Sequence, residues 1–156
     1  IIANGGSGYK PHLRKISSAK SADQISNLLT EKSVSLIRQG MIESCSLGGV
    51  AWPLFEFKIP AKGWSASLGK NVIDGKNFIE ENSSGSAKMV KIAIACKTGT
   101  AQHGGKEAQP HAWITLFAPA YNPEIVVTVL AEESGEGSNV AAPIAKKILE
   151  EYFKNK

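Results

Sequence analysis

Four residues with chemically useful groups follow a largely apolar run, because Val90–Cys96 leads directly into Lys97-Thr98-Gly99-Thr100. Such a run is typical of a buried strand. A lysine cation and two hydroxyls in one short segment can bind or activate a polar substrate, and a glycine leaves the backbone beside them open. A lysine at a strand end is equally typical of a solvated surface, so the four residues alone decide nothing.

The flanks of this segment extend the pattern. Lys97-Thr-Gly-Thr-Ala-Gln102 is followed by His111-Ala-Trp-Ile-Thr-Leu-Phe-Ala-Pro-Ala-Tyr-Asn-Pro123 and by Glu136-Gly-Ser-Asn-Val-Ala-Ala-Pro-Ile-Ala-Lys-Lys-Ile-Leu149. Together they closely resemble the end of a class B penicillin-binding transpeptidase of the elongation type, similar to penicillin-binding protein 2. Lys-Thr-Gly is one of three motifs that penicillin-binding proteins share with serine β-lactamases.

The resemblance implies a role for each motif residue. Lys97 would be catalytic: its cation would lie in the cleft, hydrogen-bond the serine of the second family motif and favour an anionic substrate. Thr98 and Thr100 would offer hydroxyls to the carboxylate of the substrate or of a bound β-lactam. Gly99 would let the substrate backbone lie close to the strand, and the Thr100 N–H would be one oxyanion-hole donor. The resemblance implies no metal and no cofactor.

The other two family motifs are expected to lie outside this chain. In the family, Ser-x-x-Lys supplies the nucleophile and base, and Ser-x-Asn relays protons. Ser17-Ser-Ala-Lys20 and Ser67-Leu-Gly-Lys70 match the first literally, but chance gives such matches in a chain rich in serine and lysine. Neither opens a convincing helix, and no Ser-x-Asn occurs. We therefore expect the chain alone to be inactive.

For the whole enzyme, the resemblance implies cross-linking of peptidoglycan stem peptides through an acyl-serine intermediate that β-lactams would trap. Its partners would be the remainder of the same transpeptidase domain and a glycosyltransferase of the elongation machinery. It would act at the outer, periplasmic face of the bacterial cytoplasmic membrane, anchored by a segment absent from this chain. Three alternatives remain open: a β-lactam sensor, a class D β-lactamase-like domain, and a non-catalytic scaffold of the elongation machinery.

Composition indicates one folded unit. The 156 residues are 42% hydrophobic and 21% charged, which suits a single domain with a buried core. The net charge of +4 is spread along the chain without basic, aromatic-interleaved segments, so we expect no nucleic-acid partner. No apolar run reaches the length of about 18 residues that a membrane helix needs. The opening Ile1–Gly6 resembles the end of a helix with a glycine cap, so we expect a fragment of a longer protein.

We divide residues 1–156, the C-terminal part of a transpeptidase domain, into three segments. Residues 1–44 resemble the family loosely and are predicted to hold a short strand and a helix. Asp23 would cap that helix, whose apolar positions are Ile25, Leu28, Leu29, Val34, Ile37 and Met41. Residues 45–88 hardly resemble the family and are predicted to be an atypical insertion, with a half-buried strand at 54–59. Residues 89–156 resemble the family closely.

The third segment predicts an antiparallel meander followed by a helix. Apolar, β-branched runs at Val90–Gln102, His111–Ala118 and Glu124–Ala131 are joined by short links. The closing helix would be capped by Ser138 or Asn139, with an apolar face of Ala141, Ile144, Ile148 and Tyr152. The predicted class is α+β: an antiparallel sheet packed with helices, part of the fold of penicillin-binding proteins and serine β-lactamases.

The remaining candidate residues are two cysteines, three histidines and one tryptophan. For Cys45 and Cys96 we favour packed free thiols over a disulfide, because their number and spacing indicate no disulfide framework. His103 and His111 flank the loop beside the motif and receive no catalytic role. Trp113 is predicted to be a core residue, with contact to substrate at the cleft mouth as the alternative, and His12 is predicted to be structural.

Overall fold

The computed structural model describes residues 1–11, 23–60, 79–80, 89–105 and 108–154. The elements, in chain order, are β1 (Gly8–Tyr9), β2 (Gln24–Ile25), α1 (Glu31–Ser44), a 3₁₀ turn (Trp52–Leu54), β3 (Lys58–Pro60), β4 (Ile79–Glu80), β5 (Met89–Lys91), β6 (Ala95–Ala101), β7 (His111–Ala118), β8 (Ile125–Ala131), a π-helical turn (Gly137–Ala141) and α2 (Ala142–Lys154). Within these ranges, no helix combines the length and apolarity that crossing a bilayer requires.

The main sheet confirms the predicted meander and the α+β class. Its strand order is β6-β7-β8, and both pairs are antiparallel. In this register Gly99 lies opposite Trp113, which lies opposite Leu130 on the far strand. Two smaller sheets accompany it, β1-β2 and β3-β5-β4.

The main sheet has two faces that different helices cover. The α2 face packs Ile114, Leu116 and Val129 against the closing helix in the large core cluster. The α1 face places Ala95 and Phe117 in a second cluster with Ile42 of the first helix. Because side chains alternate along a strand, Lys97 and Gly99 share the α1 face with Ala95, while Thr98 and Thr100 share the α2 face with Cys96.

The run Val90–Gln102 does not form the single strand that was predicted. Its start belongs to β5, which pairs with β3 and β4, and its end is β6, which pairs with β7. Between them Ile92, Ala93 and Ile94 are all buried, at 1–3% exposure. Three consecutive buried residues lack the alternation of a half-exposed strand, and here they carry the chain through the core from one sheet to another.

Helix α1 begins at Glu31 rather than near Asp23, so the predicted N-cap is wrong. The N-cap is Thr30, whose hydroxyl accepts the Ser33 N–H at 3.2 Å. The stretch assigned to the helix start instead forms β2, which pairs with β1. Local capping chemistry at Thr30 therefore outweighs the apolar spacing before it. Val34 is buried as predicted, but Ile37 is 41% exposed.

The closing helix begins earlier than predicted, and its buried face is displaced by one residue from the predicted face. The N-cap is Glu136, without a side-chain capping bond, and the first turn is π-helical. Counted from Ala141, the buried Ala145, Leu149 and Phe153 follow at intervals of four residues, whereas the predicted face began with a step of three. Steps of three and of four both fit a period of 3.6 residues, so the spacing alone did not distinguish the two faces. The predicted Ile144 and Ile148 are 42% and 41% exposed. The buried face comprises Ala141, Ala142, Ala145, Leu149 and Phe153.

The described start of the predicted insertion belongs to the core. Leu54, Phe57 and Ile59 are 1–2% exposed and lie in the large cluster with α2. The strand predicted at 54–59 is shorter than expected, since β3 covers Lys58–Pro60 and Leu54 lies in the 3₁₀ turn. Most of the remaining insertion lies outside the described residues, so its boundaries stay a prediction.

Cys45 and Cys96 form a disulfide, which corrects the free-thiol interpretation. Their Cα atoms are 5.8 Å apart, inside the range of about 4.4–6.8 Å typical of disulfides. Cys45 is the C-cap of α1, and Cys96 immediately precedes Lys97 on β6. The pairing depends on how α1 docks on the sheet, which the spacing of 51 residues could not show. The bond ties the end of α1 to the start of the motif.

Removal of this disulfide is expected to lower the free energy of unfolding by about 2–4 kcal/mol, because the bond restricts the unfolded chain. Thermal unfolding of the complete protein, with and without reductant, measures the effect. The double variant Cys45→Ser, Cys96→Ser is the control and should be insensitive to reductant. Two alkylatable thiols in the unreduced protein would contradict the assignment.

Candidate active site

The motif lies on an edge strand. β6 pairs with β7 along one side, and among the strands that the structure describes none pairs with its other side. An edge strand presents unpaired N–H and C=O groups at alternate residues. The open side of β6 therefore offers a backbone template onto which an extended peptide could add as a further strand.

Lys97 is an exposed cation at this edge. Its Nζ donates a hydrogen bond to the carbonyl oxygen of Thr98, so the side chain lies back along the strand. Within the described ranges, no carboxylate forms an ion pair with Lys97. Its charge is therefore not neutralised by a neighbour there and can attract an anionic group.

Thr98 and Thr100 lie on the opposite face of the strand from Lys97. Thr98 is partly buried and Thr100 is exposed. Neither hydroxyl has a hydrogen-bond partner in the part of the chain that the structure describes. The strand thus presents a cation on one face, hydroxyls on the other, and bare backbone at the edge between them.

Trp113 is not a core residue, in contrast to the prediction. It is 37% exposed and lies on the α1 face, directly across from Gly99. A Cβ added to Gly99 would lie 3.2 Å from the Trp113 Cβ, which is tighter than ordinary van der Waals contact. Glycine at position 99 therefore keeps the face beside Lys97 shallow.

The loop that follows the motif is held by two histidines. The rings of His103 and His111 stack with centroids 4.0 Å apart. The His111 Nδ1 accepts the Glu133 N–H at 3.0 Å, and the Pro110 carbonyl accepts the N–H of Ser134 at 3.1 Å. These contacts fasten the loop to the turn after β8, which supports a structural role for both histidines.

Gly137 is a site residue that sequence reasoning missed. The side-chain positions of Gly99 and Trp113 both point to the α1 face. Neither side chain therefore covers the backbone of this pair on the α2 face. Gly137, at the start of the π turn, lies against that backbone. A Cβ added to Gly137 would lie 2.6 Å from the Gly99 carbonyl oxygen and would also collide with the Trp113 carbonyl oxygen. The signal available in the sequence is a glycine directly before the predicted closing helix, since glycine permits backbone contacts too close for any side chain.

Among the residues that the structure describes, no serine–lysine pair lies at the motif. Ser17 and Ser67, the two literal matches to Ser-x-x-Lys, lie outside the described residues, as does His12. A third match, Ser7-Gly-Tyr-Lys10, was overlooked and flanks the extended strand β1. Three residues of extended chain span about 10 Å, so Ser7 and Lys10 do not share a helical turn as the family's pair does.

Comparison with protein families and curated proteins gives consistent results. The family model "Penicillin binding protein transpeptidase domain" matches residues 67–150, more than half of the chain. Peptidoglycan D,D-transpeptidase MrdA of Haemophilus influenzae is 29% identical over 98% of this chain and 22% of its own length. Peptidoglycan D,D-transpeptidase PbpA of Mycobacterium tuberculosis is 44% identical over 38% of this chain and 13% of its own length. The chain thus spans about a fifth or less of these relatives.

Solved structures agree in fold. Penicillin-binding protein A of Mycobacterium tuberculosis, solved as a ceftriaxone acyl-enzyme complex, superposes with a TM-score of 0.54 at 26% identity, covering 95% of this chain and 29% of that protein. Its imipenem acyl-enzyme complex gives 0.53 at 25% identity, covering 95% and 27%. The described sheet and its two helices match the fold of these neighbours. The chain belongs to the penicillin-binding protein transpeptidase domain family.

Proposed function

We propose that this chain forms one wall of the active site of a peptidoglycan D,D-transpeptidase, which cross-links stem peptides through an acyl-serine intermediate and is acylated by β-lactams. The observation that carries the proposal is the open edge of β6. Within the described ranges, Lys97-Thr98-Gly99-Thr100 there combines a cation without an ion pair, hydroxyls without hydrogen-bond partners and backbone without a strand partner. The relatives named above as D,D-transpeptidases, and the acyl-enzyme structures of penicillin-binding protein A, support it.

Lys97 is the catalytic residue of this wall. Its ammonium attracts the carboxylate at the end of a stem peptide and donates a hydrogen bond to a proton-relay serine from the remainder of the domain. Charge-assisted hydrogen bonds of this kind are stronger than neutral ones. A lysine free of an acidic neighbour in the described part of the chain suits that role.

Thr98, Gly99 and Thr100 bind the substrate. The two hydroxyls donate hydrogen bonds to the carboxylate, and the glycine leaves room for the substrate backbone to pair along β6. The Thr100 N–H stabilises the negative charge that develops on the carbonyl oxygen during acyl transfer. Losing one such donor typically costs about 3–4 kcal/mol of transition-state stabilisation.

The remainder of the transpeptidase domain supplies the nucleophile and base and packs on the α1 face of the sheet. Beyond the part that α1 covers, this face exposes Trp113, Val126 and Leu130, at 37%, 62% and 43%. Apolar side chains grouped on one sheet face are typical of a surface that another element covers. The same face carries Lys97, so elements packed there would bring their catalytic groups to the motif.

Two further parts of the proposal concern the cell. We propose that the complete enzyme acts at the outer face of the bacterial cytoplasmic membrane, held by an anchor outside this chain. There it would work beside a glycosyltransferase of the elongation machinery, which makes the glycan strands that a transpeptidase joins. The elongation-type resemblance of residues 89–153 supports this placement, and the MrdA relatives, which are named as peptidoglycan D,D-transpeptidases, support peptidoglycan as the substrate.

Labelling of the complete protein with a fluorescent penicillin, resolved on a denaturing gel, tests the proposal. A stable covalent band is expected, and Lys97→Ala should reduce the labelling rate about 10- to 100-fold, because hydrogen bonds to charged groups contribute about 1.5–3 kcal/mol. Lys147→Ala, an exposed lysine on α2, is the matched control and should label normally.

Other outcomes would contradict the proposal in distinct ways. A band that forms and is rapidly released would indicate a β-lactamase. Absence of any band would favour a non-catalytic scaffold. A band on this chain alone would place a nucleophile within it, at a serine such as Ser17 or Ser67.

Gly99→Ala is expected to slow acylation about 10- to 100-fold, since a small displacement of a bound substrate can cost about that much. The added methyl would crowd the Trp113 Cβ at 3.2 Å and project into the space beside Lys97. The second-order rate constant of acylation measures the effect. Gly105→Ala is the control, because a Cβ there meets nothing within 4 Å. Equal rates for the two variants would show that no substrate backbone passes close to Gly99.

A further inference from the structure

We propose that Gly137 is a positioning residue of the active site, which sets the position of Gly99 and of the adjoining Thr100 amide from behind the strand. This inference rests on the proposed function, because it concerns the transition-state contact that the Thr100 N–H would make. It also assigns the start of the closing helix a part in catalysis, although that helix lies on the face opposite Lys97.

The first support is the contact itself. Gly99 and its partner Trp113 direct their side-chain positions to the α1 face, so their backbone is uncovered on the α2 face. Gly137 is buried against this backbone. A Cβ built on Gly137 would lie 2.6 Å from the carbonyl oxygen and 3.1 Å from the nitrogen of Gly99, and would collide with the carbonyl oxygen of Trp113. Only glycine fits without moving the strand.

The second support is the direction in which the strand can move. Gly137 lies against β6 and β7 together, since the atom nearest to its added Cβ is the carbonyl oxygen of Trp113 on β7. Of the two strands, β7 is paired on both sides and β6 has a described partner on one side only, so β6 yields more easily. Just before the motif, Cys96 is fully buried and bonded to Cys45. Displacement would therefore fall on residues 97–101, which include the proposed oxyanion donor.

The third support is that the turn carrying Gly137 is itself held in place. Its residue Asn139 accepts a hydrogen bond from the Trp52 indole N–H at 3.3 Å and donates one to the Glu136 carboxylate at 3.2 Å. Ala141 and Ala142, which follow, are fully buried in the large cluster. A turn anchored on both sides can act as a fixed support for the strand in front of it.

The test uses Gly137→Ala in the complete protein and separates noncovalent binding of a penicillin from the acylation step by stopped-flow kinetics. We expect the acylation rate constant to fall about 10- to 100-fold, since an oxyanion donor acts mainly in the transition state. The noncovalent dissociation constant should change less than about threefold, as uniform binding is largely retained.

Two glycine variants separate positioning from general destabilisation. Gly6→Ala imposes a similar backbone collision away from the motif, since its added Cβ would lie 2.6 Å from the carbonyl oxygen of Leu29. It should lower the melting temperature comparably but leave the acylation rate constant within about twofold of wild type. Gly105→Ala, which adds a methyl in open space, should change neither quantity. Equal acylation losses in Gly137→Ala and Gly6→Ala would overturn the inference.

Asn139→Ala is the second variant, and it decides the matter if Gly137→Ala does not fold. It removes both side-chain hydrogen bonds of the turn but no buried group, and it should slow acylation about three- to tenfold with the dissociation constant unchanged. An unchanged acylation rate constant would overturn the inference. A wild-type protein that penicillin does not acylate would instead refute the proposed function, so the two failures are distinguishable.

Discussion

The one-sided pairing of β6 is the constraint on which the site depends. Its partner β7 fixes the register of the motif through seven residue pairs, from Ala95 to Ala101. The opposite side is left unpaired by every strand that the structure describes. A strand held on one side is rigid enough to present backbone groups at defined positions and open enough to accept a substrate strand. A central position in the sheet would close the open side of β6, and detachment from β7 would remove the defined positions of its backbone groups.

The surrounding elements hold this strand from three directions. The disulfide fastens its start to the end of α1, the large core cluster supports its α2 face, and Gly137 lies directly behind Gly99. Rigid support of this kind matters because acyl transfer depends on donors that are already in position when charge develops. The exposed apolar side chains on the α1 face, by contrast, mark the surface on which we propose that the remainder of the domain packs.

The sequence was most informative where local pattern and structure depend on the same residues. The β-branched runs of β7 and β8 predicted strands whose bounds agree closely with the structure, because alternation and turn residues act locally. The prediction of one strand from Val90 onwards was wrong. A fully buried segment such as Ile92–Ile94 shows no alternation of buried and exposed residues, so its pattern does not indicate the sheet to which it belongs. The buried face of α2 is displaced by one residue from the predicted one, because apolar side chains at steps of three and of four both fit an α-helical period.

The roles of the candidate site residues stay a prediction, whereas their surroundings became visible only in the structure. Lys97 to Thr100 were identified by their resemblance to a family motif, which needs no knowledge of packing. The disulfide and the contact of Gly137 join residues far apart in the chain, so only the folded structure could reveal them. The burial of Trp113 was wrongly predicted, because a strand pattern does not show which parts of a sheet face another element covers.

A crystal structure of the complete protein acylated by a penicillin would test the central claim most directly. We expect the adduct to lie along the open side of β6, where its carboxylate accepts a hydrogen bond from the hydroxyl of Thr98 or Thr100. The acyl carbonyl oxygen should then lie about 2.7–3.1 Å from the Thr100 nitrogen. An adduct bound elsewhere, or one whose carbonyl oxygen has no contact with the backbone of β6, would contradict the assignment of this strand as the substrate wall.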